Sequence, residues 1–533
     1  MNRIKTLFII FLVCIIMLIL RLGTIQVLKS EQIQASLYDQ RYKQFLLYKD
    51  KGDILDRNRI PFTSSDVESV LIMNYETYLK NKLLFNEIDN YIYLSLSPGS
   101  PVLLRTGAKE GQTIKDTLMD DVVRLKVKNT NPSVAKHVIG YRSGYNQEGL
   151  DGLLKKYDEL LDCDTSVNYA VMQDINGGVI LESEPRIMLK GDQYRPQNVV
   201  LTLDIHMQSI AEKHLSDTKK AGSVIIQDCN TGYLFAMASA PDYKLDYTGE
   251  FLTGNKGELI NRATCEYNPG SVMKLVVAAA VLETSNTSDF NYTCSGFYRL
   301  QGRTVSCSAH SFDRERKVDL SEAVSVSCNS YFINAAKKLG YEKIYQKAVQ
   351  LGLTEQTGLA DQIPEEDGYL PLPEKVKSDV DLINLVLGQW VSKVTPLQIC
   401  NMTSTIANGG ILNKVNLVNS VVNMQGQKVL DLTDKKGERI LSRNIAKRLS
   451  GFMSRCVQSG TGKLADPDGL LEAAGKTGTA GEKEGHNIVW FTGFFPSQNP
   501  QYTITVVLED AVSGSLDAAP VFNKIATEVM ELS

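Results

Sequence analysis

The stretch Tyr267-Asn-Pro-Gly-Ser-Val-Met-Lys274 decides how this chain is read. Pro269-Gly270 is a turn pair that does not belong in the middle of a helix. Behind it, Val272 to Leu282 is strongly apolar and of helical length. Ser271 therefore starts a helix, and Lys274 falls one turn later on the same face. Apolar surroundings desolvate the Lys274 ammonium and lower its pKa towards that of a usable base. The helix N-terminus also favours negative charge developing on Ser271.

Two later motifs complete the pattern in a fixed order. Ser327-Cys-Asn329 follows the apolar-periodic Leu320 to Val326 and offers a hydroxyl relay and an amide hydrogen bond. Lys476-Thr-Gly-Thr479 reads as an edge strand, with Gly478 letting backbone approach a ligand closely. An edge strand can pair with an extended peptide. Lys476 and the hydroxyls of Thr477 and Thr479 suit a terminal carboxylate. Decoys exist: Ser216-Asp-Thr-Lys219 also fits S-x-x-K, and Ser166-Val-Asn168 and Ser497-Gln-Asn499 also fit S-x-N. Order and context separate them. Ser216 sits at the polar end of a helix, where nothing depresses a lysine pKa.

Outward from the motifs, Ala221 to Gln227 and Tyr233 to Ala238 read as hairpin strands around a tight turn at Asn230-Thr-Gly232. Asp204 caps a helix from Ile205 to Leu215, after a strand at Val199 to Leu203. The middle, from Ser271 to about Thr405, reads as mostly helical. Three strand candidates follow at Gly475–Ala480, Ile488–Phe495 and Tyr502–Leu508, and Pro520 to Leu532 closes as an amphipathic helix. These elements describe an α/β (α+β) unit, an antiparallel sheet flanked by helices. Upstream, Lys51 to Asn58 is turn-rich and opens a region of short strands and helices reaching about Gln197, with a loop at Ser97 to Pro101. Val27 to Leu47 reads as a helical stalk on its three- and four-residue apolar spacing.

The N-terminus carries an uninterrupted apolar run, Leu7 to Leu20, preceded by Arg3 and Lys5. It is long enough to span a bilayer and predicts a cytoplasmic N-terminus with an exported remainder. A cleaved signal peptide is the alternative, but Arg21, Leu22 and Ile25 stand where a small-residue cleavage site belongs. At 533 residues, the chain holds roughly three or four units. A formal charge of −4 gives no basic field for nucleic acid. Five His and no HExxH or CxxC pair argue against a catalytic metal. Of nine cysteines, Cys14 lies in the span; Cys294 and Cys307 are spaced for one bridge, against a reading of the thiols as small buried hydrophobes. Cys265 and Cys328 are read the same way, His310 as a structural histidine, and Asp56-Arg57 as an ion pair or turn device.

The ordered triplet resembles that of penicillin-binding proteins and serine β-lactamases. More of the chain is similar to the class B, monofunctional penicillin-binding transpeptidases. Asp53-Ile-Leu-Asp-Arg-Asn58, Asn261-Arg262, Val394-Thr-Pro-Leu-Gln398 and Gly460-Thr-Gly-Lys463 all match their pattern. Departures are Lys51 for Arg, Arg59 for Gly, and Trp390 for Gly after Gly388-Gln389; they bear on fine substrate preference. The chain resembles the shorter members, without C-terminal repeat domains.

The resemblance implies the transpeptidase fold behind a mixed α+β pedestal and a single transmembrane helix. The expected divisions are residues 1–24, 25–197 and 198–533. It implies a D,D-transpeptidase of peptidoglycan that penicillin acylates, with catalytic Ser271, Lys274, Ser327, Asn329 and Lys476. Thr477, Gly478 and Thr479 are the expected substrate-binding residues. No cofactor or metal is implied; the substrate is a stem peptide ending in D-Ala-D-Ala, and a polytopic membrane glycosyltransferase is the expected partner. The acylation base is left open within the superfamily. A β-lactam receptor would need several spans and a cytoplasmic protease part, a β-lactamase would be compact without about 170 residues of pedestal, and a vestigial scaffold would have lost a motif.

Overall fold

The computed structural model describes residues 2–28, 42–49, 51–63, 67–86, 92–93, 101–128, 131–142, 147–163, 165–173, 179–180, 186–190, 196–243, 257–300, 303–307, 315–389, 391–434, 436–481 and 487–532. The loop expected at Ser97–Pro101 falls mostly outside these, as do His310 and Trp390.

A five-stranded antiparallel sheet organises the C-terminal half, in the order Leu234–Ala240, Gly222–Asp228, Tyr502–Leu508, Asn487–Phe495, Ala474–Gly481. Along Asn487–Phe495, Val489, Phe491 and Phe495 point to one side and Ile488, Trp490 and Phe494 to the other. Both faces are covered by helices, which is why the strand reads as a continuous apolar run rather than an alternating one. Helices Ile205–Asp217 and Ala519–Leu532 pack on the first face through Met207, Ala211, Leu215, Phe522 and Ile525. Lys274–Leu282, Asn329–Leu339, Pro396–Ala407 and Arg443–Ser459 pack on the second. The expected hairpin, C-terminal strands and closing helix all appear within two residues of the expected ends. Asp204 caps its helix, accepting from the backbone N–H groups of His206 and Met207.

Three expectations need correction. The helical stalk breaks down at its far end: Tyr42–Lys49 is a strand paired with Ser166–Gln173. Residues 29–41 lie outside the description. The aromatic-rich run fits a pleated surface, and pairing plus burial of Leu47 against Val167 and Tyr169 override the helical spacing. The middle segment is not uniformly helical either. Tyr292–Cys294 pairs with Arg316–Val318, and Phe297–Leu300 with Arg303–Ser306. Ser271 starts its helix through a 3-10 turn, Gly270–Met273, before the α-helix Lys274–Leu282.

The N-terminal half holds two further four-stranded sheets, one on Ser166–Gln173 and one on Val67–Asn74. Its Ile54–Leu55 strand runs parallel to Asn198–Leu201 in a sheet completed by Val418–Val422 and Lys428–Asp431. The two halves thus share a sheet rather than a linker. The Asp56-Arg57 segment seals the junction: buried Asp56 accepts from Asn58 N at 2.7 Å, Ile60 N at 2.7 Å and Ile205 N at 3.3 Å. The Arg57 guanidinium lies 4.2 Å over the Phe235 ring. Arg59, where the family pattern has Gly, adopts the left-handed φ of +69° that a glycine takes without strain. Lys51, in place of Arg, keeps an ion pair to Asp158 at 2.7 Å.

At the N-terminus, Arg3–Gln26 is a helix long and apolar enough to cross a membrane.

Candidate active site

The Pro269-Gly270 turn places Ser271 by backbone contact. Gly270 has φ +54°, and a Cβ on it would meet the Thr479 carbonyl oxygen at 2.6 Å. Its N–H donates to the Gly388 carbonyl at 2.9 Å. Gly388 has φ +66°, and a Cβ there would sit 2.2 Å from the Gly270 oxygen. Gly478 is needed for a different approach from the one expected: a Cβ would come within 2.9 Å of the Pro269 carbonyl oxygen and of Val272 Cγ2. The third motif is thereby held against the turn that carries Ser271.

Beneath Ser271, Lys274 is fully buried. Its Nζ donates to Asn329 Oδ1 at 2.6 Å, to the Ser327 carbonyl at 2.8 Å and to Ser327 Oγ at 3.0 Å. Burial, and then the charge of Lys476, pull its pKa down from 10.5 to about 7. Ser327 itself stands at φ +58°, a strained position for a residue with a side chain. Asn329 also donates through Nδ2 to the Ser306 carbonyl at 2.9 Å. The first two motifs are therefore joined by direct hydrogen bonds.

The third motif lies on the edge strand Ala474–Gly481, as the sequence predicts. Lys476 is fully buried, its pKa lowered by that burial, and its Nζ donates to the Thr477 carbonyl at 2.9 Å. The Thr477 hydroxyl is 2.7 Å from that of Thr461 in the Gly460-Thr-Gly-Lys463 segment. The half-buried Thr479 accepts from Gly514 N at 3.2 Å, and its carbonyl accepts from Gln389 Nε2 at 3.4 Å.

Three supporting residues, Trp490, Glu509 and Ser392, carry no signal in the sequence. Trp490 Nε1 donates to the Asn268 carbonyl at 2.9 Å, and Asn268 Nδ2 donates to Ser392 O at 2.7 Å. Glu509 accepts at 2.7 Å from both the Tyr267 hydroxyl and Arg262 Nε. These bonds brace the residues just before Ser271, and only chain separation of a hundred residues or more hides them.

The decoys lie elsewhere. Ser216 and Lys219 are exposed at the end of their helix. Ser166 and Asn168 bond to each other on the strand Ser166–Gln173, and Ser497 and Asn499 occupy the turn between two strands. No disulfide joins any of the nine cysteines; Cys294 and Cys307, whose pairing the sequence leaves open, are both buried thiols. Cys265 is half-buried, with its pKa raised to about 11 by that burial.

The model of the penicillin binding protein transpeptidase domain matches residues 222–527. The chain is 25% identical to the stage V sporulation protein D of Bacillus subtilis, covering 98% of this chain and 85% of that protein. It is 26% identical to the peptidoglycan D,D-transpeptidase MrdA of Haemophilus influenzae, over 76% of this chain and 65% of that one. Among solved structures, a chain from work on polymerization and crosslinking by a peptidoglycan synthase complex superposes with a TM-score of 0.70 at 25% identity, covering 100% of this chain and 99% of the other. With Lys274 bonded to Ser327 and Asn329, Gly270 packed on Thr479, and the matching domain model covering more than half of its length, the chain belongs to the penicillin-binding protein transpeptidase family, as a class B D,D-transpeptidase.

Proposed function

We propose that Ser271 is the nucleophile that cross-links peptidoglycan stem peptides, with Lys274 as its base. The observation that carries this is the buried Lys274 Nζ, held by Ser327 and Asn329 with a pKa of about 7. A lysine so placed is largely neutral just above neutrality and can take a proton. Ser271 Oγ attacks the penultimate D-Ala carbonyl while its proton passes to Lys274. The N–H groups of Ser271 and Thr479 face the developing oxyanion. Ser327 carries the proton on to the departing D-Ala amine, and the C–N bond breaks to leave a Ser271 ester. Lys476, Thr477 and Thr479 hold the terminal carboxylate, and Gly478 keeps their strand close. An acceptor amine from a neighbouring strand then forms the new amide and restores the Ser271 hydroxyl; attack by water gives a minor carboxypeptidase reaction.

The same reading divides the chain into an anchor at 1–24, a pedestal at 25–197 and a transpeptidase domain at 198–533. Arg3 and Lys5 before the apolar helix favour a cytoplasmic N-terminus, with the catalytic domain outside the membrane. The structural likeness to a chain of a peptidoglycan synthase complex supports a polytopic glycosyltransferase as partner. The experiment is covalent labelling with a fluorescent penicillin. Ser271→Ala abolishes the adduct and Ser216→Ala leaves it intact; an adduct on the Ser271→Ala protein sinks the assignment.

A further inference from the structure

The thiols of Cys294, Cys307 and Cys328 are all buried and lie within 4.8 Å of one another. The Cys307 and Cys328 sulfurs are 3.6 Å apart. Three separate pieces of chain deliver them. Cys294 ends the strand Tyr292–Cys294, Cys307 follows Arg303–Ser306, and Cys328 caps the helix Asn329–Leu339. Among the described residues, no other trio of His, Cys, Asp or Glu closes this tightly.

The spacing discriminates between chemistries. A metal–thiolate bond of about 2.3 Å sets sulfurs about 3.8 Å apart in a tetrahedral site and about 4.0 Å apart in a trigonal one. One pair lies at 3.6 Å and all three sulfurs lie within 4.8 Å of one another, so either spacing is reached by shifts of under an ångström or so. A disulfide requires about 2.05 Å, so Cys307 and Cys328 would have to move together by more than an ångström.

We propose that Cys294, Cys307 and Cys328 form a site for one thiophilic d10 cation, Zn(II) or Cu(I). Soft thiolate donors select these ions. Three buried sulfurs suit trigonal Cu(I) directly, whereas Zn(II) takes a water as its fourth ligand. On binding, three S–H bonds are replaced by sulfur–metal bonds, three protons pass to buffer, and no atom changes oxidation state. The consequence lies next door. Cys328 sits between Ser327 and Asn329, and Asn329 Nδ2 bonds the Ser306 carbonyl beside Cys307. The ion therefore ties the turn that holds Lys274 to the small strands behind it.

The site is tested on the full chain in detergent, reduced and kept under nitrogen. Zn(II) is titrated against a chromophoric chelator, and Cu(I) against bicinchoninate in a separate arm. One equivalent of either ion binds, the melting temperature rises, and Cys294→Ser loses at least about ten-fold in affinity. Cys294→Ser still forms the penicillin adduct without metal, which shows that it is folded; should it fail to fold, Cys307→Ser takes its place. Sub-stoichiometric uptake, or uptake unchanged in a folded variant, overturns the proposal. So does a reduced protein that takes up no ion under nitrogen and, on exposure to air, passes two electrons and two protons to O2 to form a Cys307–Cys328 disulfide. None of these outcomes bears on the assignment of Ser271.

Discussion

Lys274 Nζ donates to Asn329 Oδ1 across 2.6 Å, with no water-exposed surface on the lysine. The pair fixes where the proton of Ser271 can go and at what pH. The Lys274 pKa of about 7 lies below its ordinary 10.5, so the folded protein holds this proton less tightly than the unfolded chain. Acylation by penicillin, measured as a second-order rate, rises with pH through about 7 and levels off above it. Stability carries the matching sign: this group's burial penalty is fully felt below about 7 and is relieved as pH rises towards 10.5. An acylation rate that is flat between pH 5.5 and 8.5, roughly the window over which such a group titrates, would rule out Lys274 as the base.

The Lys476 charge is the second cause of that lowered pKa, after burial. Lys476→Met removes it and shifts the rising limb of the acylation profile to higher pH, besides slowing the plateau rate. A lower plateau with an unmoved limb would mean that Lys476 serves only to bind carboxylate.

Gly388 and Gly340 both have positive φ, at +66° and +77°. A Cβ at Gly388 meets Gly270 backbone at 2.2 Å, whereas Gly340 has nothing within 4 Å. Gly340→Ala therefore costs only the conformational strain of its φ +77°, ψ 149° backbone, about 2 kcal/mol, and leaves acylation unchanged. Gly388→Ala costs at least about 3 kcal/mol in denaturant unfolding and slows acylation, because the Ser271 turn must move. Equal costs for the two would refute the close packing of Gly388 on Gly270.

Arg59 pays for a left-handed φ that the family meets with Gly. Arg59→Gly removes a strain of about 1–2 kcal/mol and adds about 0.5–1 kcal/mol of chain entropy to the unfolded state. The expected net is a stabilisation of roughly 0.5–1 kcal/mol, read as a higher denaturation midpoint. A drop in midpoint would show that the Arg59 side chain contributes more than its backbone costs.

Trp490 Nε1 donates to the Asn268 carbonyl from inside the core. Trp490→Phe leaves that carbonyl short of a partner and opens space under the turn. The expected loss is about 2–3 kcal/mol of stability, with slower penicillin acylation. Unchanged acylation in a destabilised protein would confine Trp490 to packing.

Much of the site was legible because its chemistry is local. The Pro-Gly turn, the apolar run behind it and the order of the three motifs marked Ser271, Lys274, Ser327 and Lys476 while dismissing Ser216. The sheet strands were equally plain, since burial on both faces turns them into continuous apolar runs such as Ile488-Val-Trp-Phe491. Tyr42–Lys49 was misread because its spacing fits a helix as well as a strand, and only pairing with Ser166–Gln173 decides between them.

Ser271 was thus named by its own neighbours in the chain, and so was the apolar N-terminal helix before it. What the sequence did not contain is the closeness of Gly388 to Gly270, of Trp490 to Asn268, of Glu509 to Tyr267, and of three thiols behind Ser327. Local preference acts over a few residues, whereas these contacts bring together groups that only the packing of helices on both faces of one sheet puts within bonding distance.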